Sequence, residues 1–431
     1  MFRAIAVFVT LIFAGSALAK DHLVIISPHR KSLQQAFLPA FKDYYKKTFG
    51  TDVEVDWLDQ GGTSDDLRFV KAKFKSQKST SSVDVFWGGG TAVFTELDRL
   101  GFLDPYVLAK DLRQDLPKKV ATVPLTTANE AWHASAMSSF GIFFNKKVLP
   151  MEGLPEPKLW TDLADSKFMG QISLADPRRS GSANTMNNII IQSLGFEKGM
   201  ELLTIIGGNT RTYTHSSSDP IKGVVSGDVA VAMAIDFYAT AKISELGEAN
   251  LGLNLPQGQT VLDPDPIAVL RGAPNKKVAR RFVDYVLSAD AQKSLVLPKG
   301  VPFGPRGPTI GRFAVNTRTY AETDGKRLVK QNPFKGGDFF QYDAKKASKM
   351  QEIMNDLVGA VIIDTHRDLK KAWKAVVKSG VTPAKLKAIG QMPVTEAELL
   401  AAAEKWSDNV YRNKTINSWV AFSKKKYQKL N

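Results

Sequence analysis

The stretch Val83-Asp84-Val85-Phe86-Trp87-Gly88-Gly89-Gly90-Thr91 decides the fold class of this chain. Its first half combines β-branched and aromatic residues, which is typical of a short buried strand, and the three glycines that follow allow a tight turn. Apolar side chains at helical spacing continue over residues 92–100. A strand, a polar turn and a helix in this order form the repeating unit of α/β proteins, in which helices cover a mostly parallel sheet.

The same alternation extends upstream of this stretch. Residues 22–27 form a short apolar run that predicts a buried strand, and residues 53–57 alternate as a second strand would. Residues 33–47 and 67–74 carry apolar side chains at helical spacing. Three strand–helix units therefore precede residue 101.

A second alternation lies downstream. Strands are predicted at residues 171–175 and 229–235, with a long helix at 184–194 between them. Residues 139–145 are apolar enough to form a strand that crosses from the first group to the second, and residues 266–270 fit a return crossing. We predict two α/β lobes joined by crossing strands, a hinged clamshell.

The chain changes character after about residue 312. Helices are predicted at residues 344–361, 364–378 and 396–410, so a helical segment closes the protein. The predicted organisation is a signal peptide at 1–19, lobe 1 at 20–140 and 266–311, lobe 2 at 141–265, and a helical C-terminal extension at 312–431. Trp373, Trp406 and Trp419 recur among apolar residues in the extension, which favours core packing, with docking of a partner as the alternative.

The amino terminus predicts the compartment. Arg3 precedes an apolar run over residues 4–14, and small residues ending in Ala17-Leu18-Ala19 follow. A basic start, a short hydrophobic core and an A-x-A site are typical of a secretory signal peptide cleaved after Ala19. The run is shorter than the roughly 20 apolar residues that span a bilayer. We expect export.

The composition limits the possible functions. With 431 residues the chain is too long for one ordinary domain of roughly 100 to 200 residues. It contains no cysteine, which excludes a disulfide scaffold, a thiolate zinc site, an iron–sulfur cluster and a cysteine nucleophile. Its 58 basic and 43 acidic residues give a formal net charge of +15, but no nucleic-acid recognition signature accompanies the charge. We expect no nucleic-acid partner.

Four polar loops each follow a predicted strand and precede a helix. They lie at residues 27–30, 87–91, 176–182 and 215–220. In open α/β sheets ligands bind beyond the carboxyl ends of the strands, where free amides at helix N-termini favour negative charge. Any one of these loops is more simply explained as a helix cap or a turn. Four in one chain predict a binding site for an anion.

Several stretches recur in an order that is typical of one protein family. They are Asp84-Val85-Phe86-Trp87-Gly88-Gly89, residues 97–103, Ala175-Asp176-Pro177-Arg178-Arg179-Ser180-Gly181-Ser182, residues 227–230 with Asp236-Phe237-Tyr238, residues 265–275 and residues 279–292. By these stretches, over roughly residues 22 to 310, the chain resembles the periplasmic solute-binding proteins of ABC importers, in the branch that includes ferric-iron binders and binders of phosphorylated or phosphonate compounds.

The resemblance implies a two-lobed, type II-like periplasmic-binding-protein clamshell that closes on a small solute. It also implies a periplasmic location and delivery of the solute to an ABC permease in the inner membrane. Neither covalent chemistry nor a cofactor is expected.

The favoured solute is an oxyanion-bearing organic compound, such as a phosphonate, a sugar phosphate or a carboxylate. Hydroxyls, amides and an arginine would bind the anionic group, and aromatic rings would pack on the remainder. Asp236 could bind an amine if the ligand has one. The predicted ligand-binding residues are Ser27, His29, Trp87, Gly89, Thr91, Arg178 with Arg179 as its alternative, Ser180, Gly181, Ser182, Ser217, Ser218, Asp236 and Tyr238.

Ferric iron is the alternative solute. Iron binders of the resembling branch typically present two neighbouring tyrosines, whereas the matching stretch here is Asp236-Phe237-Tyr238. Iron would then be held by His29, Asp236 and Tyr238.

An exported hydrolase is the alternative from a different functional class. Ser180 with His215 or His29 would supply a nucleophile and a base, but no Gly-x-Ser-x-Gly elbow encloses Ser180. The sequence also lacks a His-Glu-x-x-His motif. We expect a binding protein rather than an enzyme.

Overall fold

The structure, a computed structural model, describes residues 20–336 and 338–430. The signal peptide predicted at residues 1–19 lies outside the described residues. Within them, no helix has the length and apolar character needed to cross a membrane.

The chain alternates between strands and helices and ends in helices alone. The strands are β1 (Asp21–Ile26), β2 (Val53–Leu58), β3 (Val85–Trp87), β4 (Lys119–Val120), β5 (Val123–Pro124), β6 (His133–Ser138), β7 (Phe140–Asn145), β8 (Ile172–Ala175), β9 (Thr210–Thr214), β10 (Val231–Ile235), β11 (Leu251–Asn254) and β12 (Asp263–Val269).

The α-helices are α1 (Lys31–Phe49), α2 (Thr63–Gln77), α3 (Thr91–Arg99), α4 (Lys110–Arg113), α5 (Val148–Met151), α6 (Gly181–Leu194), α7 (Phe196–Asn209), α8 (Asp219–Ser226), α9 (Asp236–Leu246), α10 (Lys276–Leu287), α11 (Ala289–Val296), α12 (Thr317–Glu322), α13 (Ala344–Val358), α14 (His366–Lys378), α15 (Pro383–Gly390), α16 (Glu396–Ala403) and α17 (Asn409–Gln428). Short 3-10 helices lie at Trp160–Ala164, Ser166–Phe168 and Pro333–Lys335, and a π-helical turn lies at Gly359–Ile363.

Ten of these strands form two five-stranded sheets, one in each lobe, and β4 and β5 pair as a separate two-stranded sheet. The sheet of lobe 1 has the order β2-β1-β3-β12-β6, and that of lobe 2 has the order β11-β7-β10-β8-β9. Four strands of each sheet run in the same direction, and the fifth, β12 in lobe 1 and β7 in lobe 2, runs antiparallel to both of its neighbours, so the prediction of mostly parallel sheets is confirmed. Both strands enter their sheets from the side where the lobes face each other, so they run against strands that end there.

Lobe 1 has a core on each face of its sheet. Successive side chains of a strand point to opposite faces, so Leu23 and Ile25 pack with Phe41 and Phe282 on one side while Ile26 packs with Phe94 on the other. Phe313, Ala314, Val315 and Tyr320 join the first of these cores. The chain therefore still belongs to lobe 1 beyond residue 312, at which the extension was predicted to begin.

Lobe 2 shares its larger core with the C-terminal extension, residues 338–430. Trp373, Trp406 and Trp419 are nearly fully buried in the same cluster as the strand residues Val231 and Met233. Trp373 lies against Gly208 of α7, where an added Cβ would meet its ring at 2.7 Å. The prediction of core packing for these tryptophans is confirmed.

One predicted helix of the extension is in fact two. The helix predicted at 396–410 stops at Ala403, and α17 begins at Asn409, where the Asp408 carboxylate accepts bonds from the amides of Val410 and Tyr411. Between the two helices, Trp406 donates its indole N–H to Asp356 of α13 at 2.9 Å. Helical periodicity alone does not reveal this capped break, since the apolar spacing continues across it.

Candidate functional site

A cleft of about 690 Å³ separates the two lobes. This volume is typical of sites for small molecules. Residues at the N-terminal ends of α1, α2, α3 and α6 line the cleft, together with the ends of β6, β10 and β12. Each of the four predicted polar loops contributes to its wall, through His29, Gly89, Ser180 and Ser217.

Three of these helices begin without a side-chain cap. Arg30, Gly62 and Gly90 occupy the N-cap positions of α1, α2 and α3, and no side chain at these positions accepts a bond from the first turn. Gly62 (φ 142°, ψ 174°) and Gly90 (φ 83°, ψ 167°) have backbone angles that only glycine adopts readily. The Leu33 and Asp65 amides bond to the N-cap carbonyls, and the amides at the very start of these helices, such as those of Ser32 and Ser64, are left available to an anion in the cleft.

The cleft floor carries a buried ionic network. The Arg312 guanidinium donates to the Asp265 carboxylate at 2.6 Å and to the Ser138 hydroxyl at 2.9 Å. His29 Nε2 lies 2.7 Å from the same carboxylate, whose other oxygen accepts the Gly89 amide at 3.0 Å. This network joins β12, the loop after β1 and the glycine turn after β3.

The shape of β12 directs Asp265 into this network. Prolines 264 and 266 flank Asp265 and cannot donate to the ladder, and the register with β6 shifts between Asp265 and Pro266. The Asp265 carbonyl instead accepts the Ser135 hydroxyl at 2.7 Å. A local bulge thus turns the carboxylate toward the cleft.

Two neighbouring carboxyls of β12 titrate differently. Burial, and then the charge of Asp265, raise the pKa of Asp263 to about 7. Burial would also raise the pKa of Asp265, but Arg312 and His29 outweigh it and hold that pKa below its usual range. At neutral pH, Asp265 is ionised and Asp263 is close to its midpoint.

Basic side chains from both lobes reach the cleft. Arg30 crosses from α1 to lobe 2, where it donates to Ser216 at 2.6 Å and lies 5.0 Å from the centre of the Tyr238 ring. Lys31 and Arg179 also line the cleft, and among the described residues neither forms an ion pair with a carboxylate. Together they give the cleft a positive character.

The C-terminal extension forms a third wall of the cleft. Tyr342, Ser348 and Gln351 line it from the start of α13 and the segment that precedes it. No ligand contact was predicted for these residues from the sequence. Helical spacing marked α13 only as a packed helix.

Eight predicted site residues line the cleft. These are His29, Gly89, Thr91, Ser180, Gly181, Ser182, Ser217 and Tyr238. The Ser180 hydroxyl also caps α6 by accepting the Ala183 amide at 3.1 Å. Thr91 Oγ1 lies 3.4 Å from an Asp263 oxygen.

Ser27 and Trp87 lie behind the cleft wall. Ser27 is fully buried and its hydroxyl lies 2.9 Å from His29 Nδ1. Trp87 packs edge-on against His29 and donates its indole N–H to Ser135 at 2.7 Å. These two residues orient His29 rather than face the solute.

Arg178, Ser218 and Asp236 are also outside the cleft lining. Arg178 pairs with Asp176 and with Asp364 of the extension, so its guanidinium fastens the extension to the end of β8. Asp236 accepts the amides of Ser139 and Phe237, and Ser218 Oγ is buried without a partner among the described residues. A run of two arginines does not reveal which one turns into the cleft, and here it is Arg179.

The predicted iron ligands do not converge. Both ring nitrogens of His29 lie within hydrogen-bond distance of protein partners, and the Asp236 carboxylate is engaged by backbone amides. No group of three or more His, Asp or Glu side chains with metal-binding spacing occurs in residues 20–336 and 338–430.

Ser27, His29 and Asp265 form a serine–histidine–aspartate chain of hydrogen bonds, with separations of 2.9 and 2.7 Å. A nucleophile must reach its substrate, and Ser27 has no exposed surface. The other hydroxyl considered, Ser180, bonds to its own helix. The arrangement suits orientation of His29, not acyl transfer.

Arg312, Asp265, Asp263 and Arg30 belong to the cleft but were missed from the sequence as ligand contacts. The motif Asp263-Pro264-Asp265-Pro266 reads as a turn, because proline is rare in a central strand. Two carboxylates between prolines at a predicted crossing strand were the available signal. No local pattern pairs Asp265 with Arg312.

Comparison with known proteins gives curated relatives with transport names, among them iron uptake protein A1 of Synechocystis, 23% identical over 296 residues that cover 64% of this chain and 77% of that relative. The chain is 26% identical over 243 residues to the phosphoglycerate transport regulatory protein PgtC of Salmonella typhimurium. The match covers 56% of this chain and 56% of that relative, so the chain spans little more than half of its length.

Two solved structures share the fold. The periplasmic binding protein AfuA of Actinobacillus pleuropneumoniae, with fructose-6-phosphate bound, aligns with a TM-score of 0.59 at 22% identity, covering 83% of this chain and 99% of AfuA. The apo ferric ion-binding protein A of Pasteurella haemolytica aligns with a TM-score of 0.59 at 15% identity, covering 80% and 98%. At these identities the likeness shows the two-lobed fold.

The family model described as "Bacterial extracellular solute-binding protein" matches residues 27–293, more than half of the chain. Its match begins at the first cleft loop and ends within α11 of lobe 1. The chain therefore belongs to the family of bacterial extracellular solute-binding proteins, the periplasmic solute-capturing components of ABC importers.

Proposed function

We propose that the cleft captures a small organic compound that bears an oxyanion, namely a phosphate ester, a phosphonate or a carboxylate. The observation that carries the proposal is the convergence of three uncapped helix N-termini, those of α1, α2 and α3, on one cleft with basic side chains. Amides and guanidinium groups in a partly dehydrated cleft bind an anion more strongly than in water.

The balance of charge in the cleft supports an anionic ligand. Its basic lining residues are Arg30, Lys31, Arg179 and Arg312, and its acidic ones are Asp59, Asp263 and Asp265. Asp265 neutralises Arg312, and the raised pKa of Asp263 leaves that carboxyl only partly ionised near pH 7. Arg30, Lys31 and Arg179 then outweigh Asp59.

Iron is the weaker candidate. Two of its three predicted ligands, His29 and Asp236, are already bonded within the protein. The position of the second tyrosine of the usual pair is taken by Phe237, whose ring centre lies 4.5 Å from the Arg312 guanidinium. A cation next to Arg312 and Arg30 would be repelled.

The names of the similar proteins include both solute classes, ferric iron for the Pasteurella haemolytica protein and organic phosphates for two others, and the cleft chemistry favours the organic phosphate. PgtC is named for phosphoglycerate transport, and AfuA was solved with fructose-6-phosphate. We infer that this chain is exported with residues 1–19 as a cleavable signal peptide and delivers its solute unaltered to an ABC permease.

Isothermal titration calorimetry tests the anion site. The probes are fructose 6-phosphate, 3-phosphoglycerate, glycerol 3-phosphate, phosphonoacetate, citrate and ferric chloride. We expect saturable binding of at least one organic anion, weakened roughly 10- to 100-fold by Arg179→Ala, because a charge-assisted hydrogen bond contributes about 1.5 to 3 kcal/mol.

Arg178→Ala is the matched control. It removes the neighbouring arginine, which is bonded to Asp176 and Asp364, so the protein should unfold at lower urea concentration while its affinity stays within about threefold. Binding of ferric ion alone, or equal loss of affinity in both variants, contradicts the proposed site. Product formation from a phosphate ester would contradict a binding role.

A further inference from the structure

The start of the extension is fixed at the edge of the cleft by main-chain bonds. The Gly258 amide donates to the Asp338 carbonyl at 3.1 Å, and the Phe340 amide donates to the Thr260 carbonyl at 2.7 Å. Thr260 lies in the segment between β11 and β12, which returns the chain from lobe 2 to lobe 1. The extension is therefore attached to one of the segments that join the lobes.

Side-chain bonds continue this attachment into α13. Gln192 of α6 accepts the Asp343 amide at 2.8 Å and donates to the Asp343 carbonyl at 3.1 Å. The Asp343 carboxylate caps α13 through the Lys346 amide. Beyond this cap, α13 packs against α6 of lobe 2 and α3 of lobe 1, so it lies across both lobes.

Three polar side chains of this segment line the cleft: Tyr342, Ser348 and Gln351. Among the described residues, the Tyr342 hydroxyl, the Ser348 hydroxyl and the Gln351 amide have no hydrogen-bond partner. Burial, and then the nearby Asp263, raise the pKa of the Tyr342 phenol, so it remains a hydrogen-bond donor at neutral pH. Together they offer donors and acceptors but no charge.

This wall differs from the rest of the cleft in kind. The helix N-termini and the basic residues favour a formal negative charge, whereas the extension offers hydroxyl and amide groups of the sort that pair with alcohol groups. A bare oxyanion would occupy only a small part of the 690 Å³. A larger ligand would reach the extension.

We propose that the C-terminal extension is the specificity wall of the cleft: Tyr342, Ser348 and Gln351 bind the uncharged, hydroxyl-bearing body of an organic phosphate whose anionic group is held by the lobes. The proposal rests on the proposed function and deepens it. It assigns the choice among anion-bearing compounds to residues outside the matched family region, 27–293.

Calorimetry with paired probes tests the wall. Fructose 6-phosphate carries several hydroxyls, ethyl phosphate carries none, and inorganic phosphate is the bare anion. Fructose 6-phosphate should bind at least tenfold more tightly than ethyl phosphate. Ser348→Ala and Gln351→Ala should each lower the affinity for fructose 6-phosphate about 3- to 10-fold, because each variant loses one hydrogen bond. The affinities for ethyl phosphate and inorganic phosphate should stay within twofold of the wild type.

Tyr342→Phe keeps the ring and removes only the hydroxyl, so it tests the same contact with little risk to folding. Lys345→Ala is the control on the same helix, because Lys345 is exposed and does not line the cleft. Far-UV circular dichroism and urea unfolding confirm that each variant is folded before titration.

The outcomes separate the two proposals. If no phosphate compound binds, or if Arg179→Ala does not weaken any of them, the anion site itself is wrong and the wall falls with it. If phosphates bind through Arg179 but the hydroxylated and hydroxyl-free probes are weakened equally by the three wall variants, the anion site stands and the specificity wall is overturned. Tighter binding of ethyl phosphate than of fructose 6-phosphate overturns it too.

Discussion

Lobe 1 and lobe 2 bound the same cleft with different chemistry. Lobe 1 presents backbone amides at glycine turns, supported by the buried network of Arg312, Asp265 and His29. Lobe 2 presents side chains, chiefly Ser182, Ser217 and Arg179. Lobe 1 therefore adds amides held by backbone conformation to side chains such as Arg30 and Lys31, whereas lobe 2 depends mainly on side chains.

The cores of the two lobes also differ, since only the core of lobe 2 depends on the C-terminal extension. The cores of lobe 1 are built from its own helices and from the segment through Tyr320. The main core of lobe 2 continues without interruption into the extension, through residues such as Leu357 and Trp373. Lobe 2 and the extension are therefore one structural unit, although only lobe 2 falls within the matched family region.

The strongest change is predicted for the stability of the unit formed by lobe 2 and the extension. Trp373→Ala removes a ring buried between α14 and α7, together with its bond to Asn209 at 2.6 Å. We expect the free energy of unfolding of lobe 2 to fall by about 3 to 5 kcal/mol, as for other buried tryptophans. Urea unfolding followed by circular dichroism measures this loss.

Val410→Ala is its control, because Val410 in the same extension is 78% exposed and should change stability by less than about 0.5 kcal/mol. A loss below 1 kcal/mol for Trp373→Ala would mean that lobe 2 is stable without the extension.

The sequence predicted the backbone side of this comparison better than the side-chain side. The glycine turn at 88–90 and the polar loop at 176–182 that leads into α6 were predicted from local pattern, because turns and helix starts leave a local signature. The two-lobed fold class, which was predicted from the same local strand–turn–helix patterns, is also confirmed.

Contacts between distant segments leave no such signature. Arg312 pairs with Asp265 across 47 positions, and Arg178 pairs with Asp364 across 186. The local sequence around each residue does not predict which distant residue it contacts. For the same reason Tyr342, Ser348 and Gln351 could not be assigned to the cleft, since helical spacing reports which face is buried and not what that face meets.

Two N-cap glycines, one at the cleft and one elsewhere, test whether helix amides at the cleft bind the anion. Gly90 and Gly195 both occupy N-cap positions with nearly equal backbone angles, φ 83° and ψ 167° against φ 84° and ψ 157°. Alanine at either position should cost about 1 to 3 kcal/mol of stability through backbone strain. Only Gly90 lines the cleft, so only Gly90→Ala should also weaken binding of fructose 6-phosphate.

Thermal unfolding and calorimetry on both variants give the comparison. Equal affinity for Gly90→Ala and Gly195→Ala would show that the amides of α3 take no part in binding the anion.

Two buried aspartates, Asp263 and Asp236, should give the weakest changes, which appear in the pH dependence of stability and of ligand binding. Burial raises the pKa of Asp263 in lobe 1 and of Asp236 in lobe 2 to about 7, from an ordinary value of 3.8. A folded state that holds a proton more tightly than the unfolded chain gains stability at low pH. Each carboxyl therefore stabilises the fold fully below about pH 4, and this contribution is lost as the pH rises through 7.

Asp263→Asn and Asp236→Asn should each flatten the profile of unfolding free energy against pH between pH 4 and pH 7, relative to the wild type.

The effects of the two variants on ligand binding should differ, because Asp263 lines the cleft and Asp236 is bonded to the Ser139 amide outside its lining. Ionised Asp263 repels an anion, so Asp263→Asn should tighten fructose 6-phosphate binding at pH 8 on the order of fivefold, about 1 kcal/mol of screened repulsion, and leave it unchanged at pH 6. Asp236→Asn should leave affinity unchanged at both pH values. No affinity gain for Asp263→Asn at pH 8 would mean that the charge of Asp263 does not reach the bound anion, which would then lie nearer to lobe 2 than to β12. An equal gain in both variants would mean that the effect does not depend on a position in the cleft lining.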